Sequence, residues 1–162
     1  MKESSKVKKP IKRASTLFLR AVIVIIGAAV AAVCIFALPG GVTSGSIFGP
    51  IAVNLYMAAI PFFIALYQGL KLLSYIDHDK AFSVSSIKAL GIIKYCAGTI
   101  GGIFAVLLPL LFAIAQQDDA PGVAGLGLII TFGSFAIAIL ATVMQKLIKN
   151  AIDIKSENDL TV

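Results

Sequence analysis

Few side chains in this chain could do chemistry: one histidine, two cysteines and eight carboxylates among 162 residues. The densest group is Asp77-His78-Asp79, an imidazole flanked by two carboxylates. Such a trio would suit a metal ion or acid–base catalysis if its side chains met at one point. Consecutive residues on one turn point in different directions, so the run reads as a solvated loop. Cys34 and Cys96 form no Cys-x-x-Cys motif, and His78 has no second histidine to share a transition-metal site. Both cysteines read as small apolar packing residues. The sequence offers no nucleophile–base pair and no glycine-rich phosphate loop. The expectation is a protein that is not an enzyme and uses neither metal nor cofactor.

The elements that carry these residues are legible from composition. Hydrophobic residues make up 59% of the chain and charged residues 14%, with a mean hydropathy of +0.97. A soluble domain holds roughly 45–50% apolar and about 25% charged residues. No Asp, Glu, Lys or Arg occurs in 21–70, 95–117 or 120–145. A helix needs about 20 apolar residues to cross about 30 Å of hydrocarbon. The second and third runs each fit one crossing. The first holds two, because Leu38-Pro39-Gly40-Gly41 breaks it and 40–50 is rich in Gly, Ser and Thr. The fold class is therefore all-α, an integral membrane four-helix bundle with spans at 17–38, 51–73, 87–115 and 121–147. A basic tail (1–16) precedes the membrane domain (17–147), and a second tail (148–162) follows it. Long continuous apolar runs exclude a transmembrane β-barrel, whose strands alternate over short segments.

Basic residues set the expected threading. All 14 lie in the N-terminal segment, between spans two and three, or after span four. Cytoplasmic loops are enriched in Lys and Arg, so both termini are expected inside. That face carries 14 positive against six negative charges, a net +8. The other face carries only Asp118 and Asp119, and together they give the chain's +6. The location expected is the cytoplasmic (inner) membrane, with the basic tail attracted to an anionic inner leaflet at about 1 kcal/mol per residue. Direct nucleic-acid binding is not expected, since the tail interleaves no aromatic residues with its charges. The apolar run of the first span exceeds the roughly 7–15 residues of a cleavable signal, so it is read as a retained helix. On this threading Cys34 and Cys96 lie at opposite depths and cannot pair.

No charge lies mid-span, which argues against a proton-coupled pump. Arg20 and Lys71 lie at cytoplasmic ends, where long side chains reach water. Asn54 and Gln68 are the candidate intramembrane polar residues, with hydrogen bonding to a neighbouring helix expected for Asn54. Pro61 and Pro109 fall inside spans two and three, where they are read as structural, with a cavity opened by a kink as the alternative. A cavity near Asn54, Pro61 and Pro109 would suit a small transporter, a channel or a bacteriocin-immunity protein. Gly98 and Gly102 stand in Gly-x-x-x-Gly spacing and are read mainly as packing within the bundle, with homo-oligomer formation as the alternative.

Informative polar sequence concentrates on the inner side. In the loop, Phe82 could enter the membrane interface and Ser83 or Ser85 could cap the following helix. After the last span, Leu147, Ile148, Ala151, Ile152 and Ile154 suggest a helical continuation with one apolar side, suited to a partner helix. The segment 156–162, with Asp159 and Leu160, ends in a short β-prone stretch after its acidic residues. Phe82, Ser83, Ile148, Ile152, Asp159 and Leu160 are thus the candidate partner-binding residues. Outside, the charges of Asp118 and Asp119 suit the N-terminus of span four.

The stretch Lys80-Ala81-Phe82-Ser83, then Ile87-Lys88-Ala89-Leu90, and the ending Glu157-Asn158-Asp159-Leu160-Thr161-Val162 resemble a bacterial membrane family, domain of unknown function 2975. The resemblance extends from Leu17 onward and implies four spans. Gly91, Ile92 and Ile93 replace more polar positions of the family. Association of members with small helix-turn-helix regulators implies a signalling or regulator-sequestering role for this chain. No catalytic residue carries over.

Overall fold

The computed structural model describes residues 3–36, 39–40, 48–78, 80–117 and 119–161. Its side chains are described from Ser15 onward. Four long helices make up almost all of this: α1 (Glu3–Phe36), α2 (Phe48–Asp77), α3 (Val84–Gln117) and α4 (Pro121–Leu160). Each contains a stretch long and apolar enough to cross a membrane. The expected spans fall inside these helices, apart from 37–38, which lie outside the described residues.

The helices outrun the spans. α4 has 40 residues, about 60 Å at 1.5 Å per residue. That is twice the hydrocarbon thickness of about 30 Å. The basic N-terminal segment is helical from Glu3, and α4 runs through the acidic residues to Leu160, the first residue of the β-prone ending. A helix already nucleated adds residues at little further cost, and neither Gly nor Pro follows Leu147 to stop it. It closes at Thr161, whose Oγ donates to the Glu157 carbonyl at 2.6 Å. Pro61 and Pro109 lie inside α2 and α3 without ending either helix. Pro121 opens α4, where a missing amide proton costs nothing.

The α3–α4 turn is closed by the backbone. The Ala120 amide donates to the Ala115 carbonyl at 3.1 Å, around Asp119 at φ 47°. This is a Schellman-type ending with Asp in the left-handed position usually held by glycine. Ala120 is the α4 N-cap and no side chain caps that end. Asp119, expected to favour this helix end by its charge, thus lies two residues before Pro121 without a capping hydrogen bond. Asp118 lies outside the described residues.

Successive helices are antiparallel and form an open row. Backbones come within 8 Å between α1 and α2, α2 and α3, and α3 and α4, and between no other described pair. The expected bundle is thus not closed by an α1–α4 contact. One apolar cluster joins Ala58, Phe104, Leu107 and Leu111 at the end where α2 begins. A second joins Leu90, Ala141 and Ile148, with Leu72, Ile87 and Ile152 packed against it, at the opposite end. Both chain ends and the α2–α3 connection share that second end. Leu17, Phe18 and Ile25 of α1 and Ile129, Phe132 and Ile139 of α4 are exposed. Lipid is the solvent for such faces, since in hydrocarbon they lose nothing by remaining uncovered.

Glycine decides the close approaches. A Cβ on Gly127 would lie 2.4 Å from Leu111 Cδ1. One on Gly101 would meet the Phe135 ring at 3.3 Å, and one on Gly27 the Leu66 Cδ2 at 2.7 Å. Cβ atoms on Gly98 and Gly102 would meet nothing within 4 Å. The Gly-x-x-x-Gly pair therefore does not serve packing within the chain, contrary to the expectation; its neighbour Gly101 does.

Candidate functional site

Polar groups gather where α2 ends, α3 begins and α4 leaves the apolar span. Ser83 caps α3: its hydroxyl accepts the Ser86 amide at 3.3 Å. Ser86 is fully buried, and its own hydroxyl donates to the Lys80 carbonyl at 3.2 Å. The two serines thus fix the chain's entry into α3 by satisfying groups that a helix start leaves open. Between them, the geometry holds the Lys80–Ser83 segment and turns Phe82 outward, 71% exposed.

Asp77 and His78, at the end of α2, take separate partners. Asp77 Oδ2 accepts a hydrogen bond from Arg20 Nη2 of α1 at 2.9 Å, as an ion pair. His78 Nδ1 faces the Ser74 carbonyl at 2.8 Å, and since a carbonyl only accepts, the nitrogen donates. Asp79 lies outside the described residues. Arg20, expected to extend to water, is instead drawn sideways to Asp77, and its Nε is buried with no acceptor among the described residues.

Asn54 and Gln68 separate. Asn54 Nδ2 donates to the Pro50 carbonyl of its own helix at 2.8 Å. The bond expected to cross to a neighbour closes on the preceding turn. Thr99, Thr131 and Thr142 do the same with carbonyls four residues back. Gln68 lines a cleft at the polar end, between α2 and α3.

The six candidate partner-binding residues also divide. Phe82, Asp159 and Leu160 are exposed, Leu160 at 85%. Ser83 is half-buried in its cap. Ile148 is buried against Leu90 and Ala141, and Ile152 is half-buried beside them. These two isoleucines hold α4 to α3, so the outward apolar positions of the extension are Leu147, Ile154 and Leu160.

Three groups escaped the sequence reading. Gln145 Nε2 donates to the Ile87 carbonyl across the α3–α4 interface at 2.8 Å. It occupies the space above Gly91, where a Cβ would lie 2.9 Å from the amide nitrogen. A polar residue closing a charge-free run, opposite a glycine near the start of α3, was the available signal. Tyr56 Oη donates to the Cys34 carbonyl near the end of α1 at 2.8 Å, where helix carbonyls lack internal partners. The Arg20–Asp77 pair was signalled only by opposite charges at the two ends of a hairpin.

Long apolar helices, antiparallel, with charged residues kept out of their apolar runs, define a multi-span integral membrane protein. No catalytic constellation is assembled at its polar end among the described residues. The chain belongs to the family described as protein of unknown function DUF2975, whose model matches residues 43–162. That match covers α2 to α4, including the Phe82-Ser83 loop and the acidic ending, and begins later than the Leu17 expected. The chain is also similar to the uncharacterized membrane protein YoaS of Bacillus subtilis (strain 168), 51% identical over 158 residues. The alignment covers 93% of this chain and 99% of that relative, so it includes most of α1. No solved structure matches.

Proposed function

We propose that the chain is a noncatalytic protein of the bacterial cytoplasmic membrane that signals or regulates through a cytoplasmic protein partner. A small helix-turn-helix regulator is the partner class that the family resemblance implies. The observation that carries this reading is the length of α4. Its residues 149–160 continue as helix beyond the charge-free run and present Ile154 and Leu160 to solvent. Phe82 is exposed on the connection at the same end of the row. An extended helix with exposed apolar positions is a form that partner helices or grooves recognise. The inward orientation rests on the 14 basic residues, all of which belong to this end.

The test is affinity capture of the full chain from its own membranes, beside a variant lacking 153–162. The reading expects a soluble partner retained by the full chain and released by the truncation, with both forms equally abundant in the membrane. Identical captured sets would contradict it.

A further inference from the structure

A cleft of about 240 Å³ opens between α2 and α3 at the polar end. Gln68, Lys71 and Tyr75 line one wall, and Ser85, Lys88 and Ile92 the other. No carboxylate among the described residues lines it. Neither lysine has an ion-pair partner among the described residues. Asp77, the carboxylate nearest along α2, is held by Arg20 on α1 and so does not neutralise them. Two lysines therefore line opposite walls of a cleft that also offers a hydroxyl, an amide and a phenol. Ser85 stands in the first turn of α3, where the helix dipole adds positive potential.

We propose that this cleft binds the phosphate headgroup of an anionic membrane lipid. Phosphate is the chemistry that paired lysines and hydroxyl donors at a helix start select. Position selects a lipid over a dissolved anion. Lys71 ends the charge-free run 21–70, so the cleft lies at the boundary of the apolar span rather than beyond it. The cleft is not enclosed, and exposed apolar side chains lie next to it along both helices. Ile64 lies one turn from Gln68 on α2, and Ile92 one turn from Lys88 on α3; both are exposed. An acyl chain can follow that path while the phosphate stays between the lysines. Basic pockets between helices at a membrane face are a recurrent form of headgroup recognition.

The test uses the purified full chain in an uncharged detergent, with lipid binding followed by native mass spectrometry. Phosphatidylglycerol is titrated beside phosphatidylcholine, with inorganic phosphate as a competitor. The proposal expects one phosphatidylglycerol bound about tenfold more tightly than phosphatidylcholine. Lys71→Gln with Lys88→Gln abolishes that preference, and Lys71→Arg with Lys88→Arg retains it. Lys146→Gln with Lys149→Gln, which removes equal charge from α4 outside the cleft, leaves it intact. Melting temperatures without lipid verify that each variant folds. If the glutamine pair melts lower, the comparison of the arginine and α4 pairs decides. Equal binding of the two lipids overturns the proposal. So does equal loss in the cleft and α4 glutamine pairs, since that marks a general charge effect. Displacement of phosphatidylglycerol by inorganic phosphate at matched concentration also overturns it, assigning the cleft to a free anion.

Discussion

Replacing Asp77 with asparagine removes the countercharge of Arg20 and keeps the shape of the side chain. The consequence is concentrated on α1, because α1 packs on α2 alone among the described helices. Its attachment includes the Gly27–Leu66 and Gly69–Ile23 approaches, the Tyr56–Cys34 hydrogen bond and the Arg20–Asp77 pair. Two unit charges about 3–4 Å apart attract by about 4–6 kcal/mol at an effective dielectric constant of 20. Water reclaims much of this, since the two side chains are 37% and 24% exposed. Fully exposed pairs contribute only about 0.2–1 kcal/mol. The buried, unsatisfied Arg20 Nε moves this pair above that range, because its guanidinium cannot turn fully to solvent. A coupling of about 1–2 kcal/mol follows, which is about 2–8 °C in melting temperature for a chain of this size. The assay is a double-mutant cycle of Arg20→Gln and Asp77→Asn, read by thermal unfolding in uncharged detergent. Each single variant is expected to melt lower, and the double variant no lower than the worse single. Raising the salt concentration should shrink the coupling. Additivity within about 0.5 kcal/mol would refute the reasoning.

Gly127→Ala places a methyl group against Leu111, which is 4% exposed and held in its cluster. A loss of about 1–3 kcal/mol is expected. Gly133→Ala meets nothing and should be neutral or stabilising by up to about 1 kcal/mol; thermal unfolding of both separates packing from propensity. Ser83→Ala removes the α3 cap at a cost of about 1 kcal/mol, with faster amide exchange confined to the first turn of α3. Asp119→Gly should raise the melting temperature by relieving a positive φ, and no change there would show the turn to be unstrained.

The crossings were legible because hydrocarbon excludes charge, and uninterrupted charge-free runs record that exclusion directly. The Ser83 cap was legible because its signal is local, a serine just ahead of the helix. The helix faces were not. In a bilayer both the packed and the lipid-facing sides are apolar, so periodicity does not tell Gly101, which meets Phe135, from Gly98, which meets nothing. The reach of α4 was hidden because its extension carries no stop signal, and Ile148 and Ile152 look alike as an apolar stripe whether they face a partner or α3. Asn54 was misjudged because a side chain can satisfy itself on the preceding turn, which spacing does not reveal. Gln145 and Arg20 find partners on other helices, and such pairings exist only once the row has formed.

The central claim is a four-span protein whose termini and α2–α3 connection share the cytoplasmic side. It is tested most directly by labelling intact cells with a membrane-impermeant thiol reagent, in a background carrying Cys34→Ala and Cys96→Ala. Gln116→Cys should react from outside. Phe82→Cys and Ser156→Cys should react only after the membrane is permeabilised. Reaction of either inner position in intact cells, or protection of Gln116→Cys, would contradict the account.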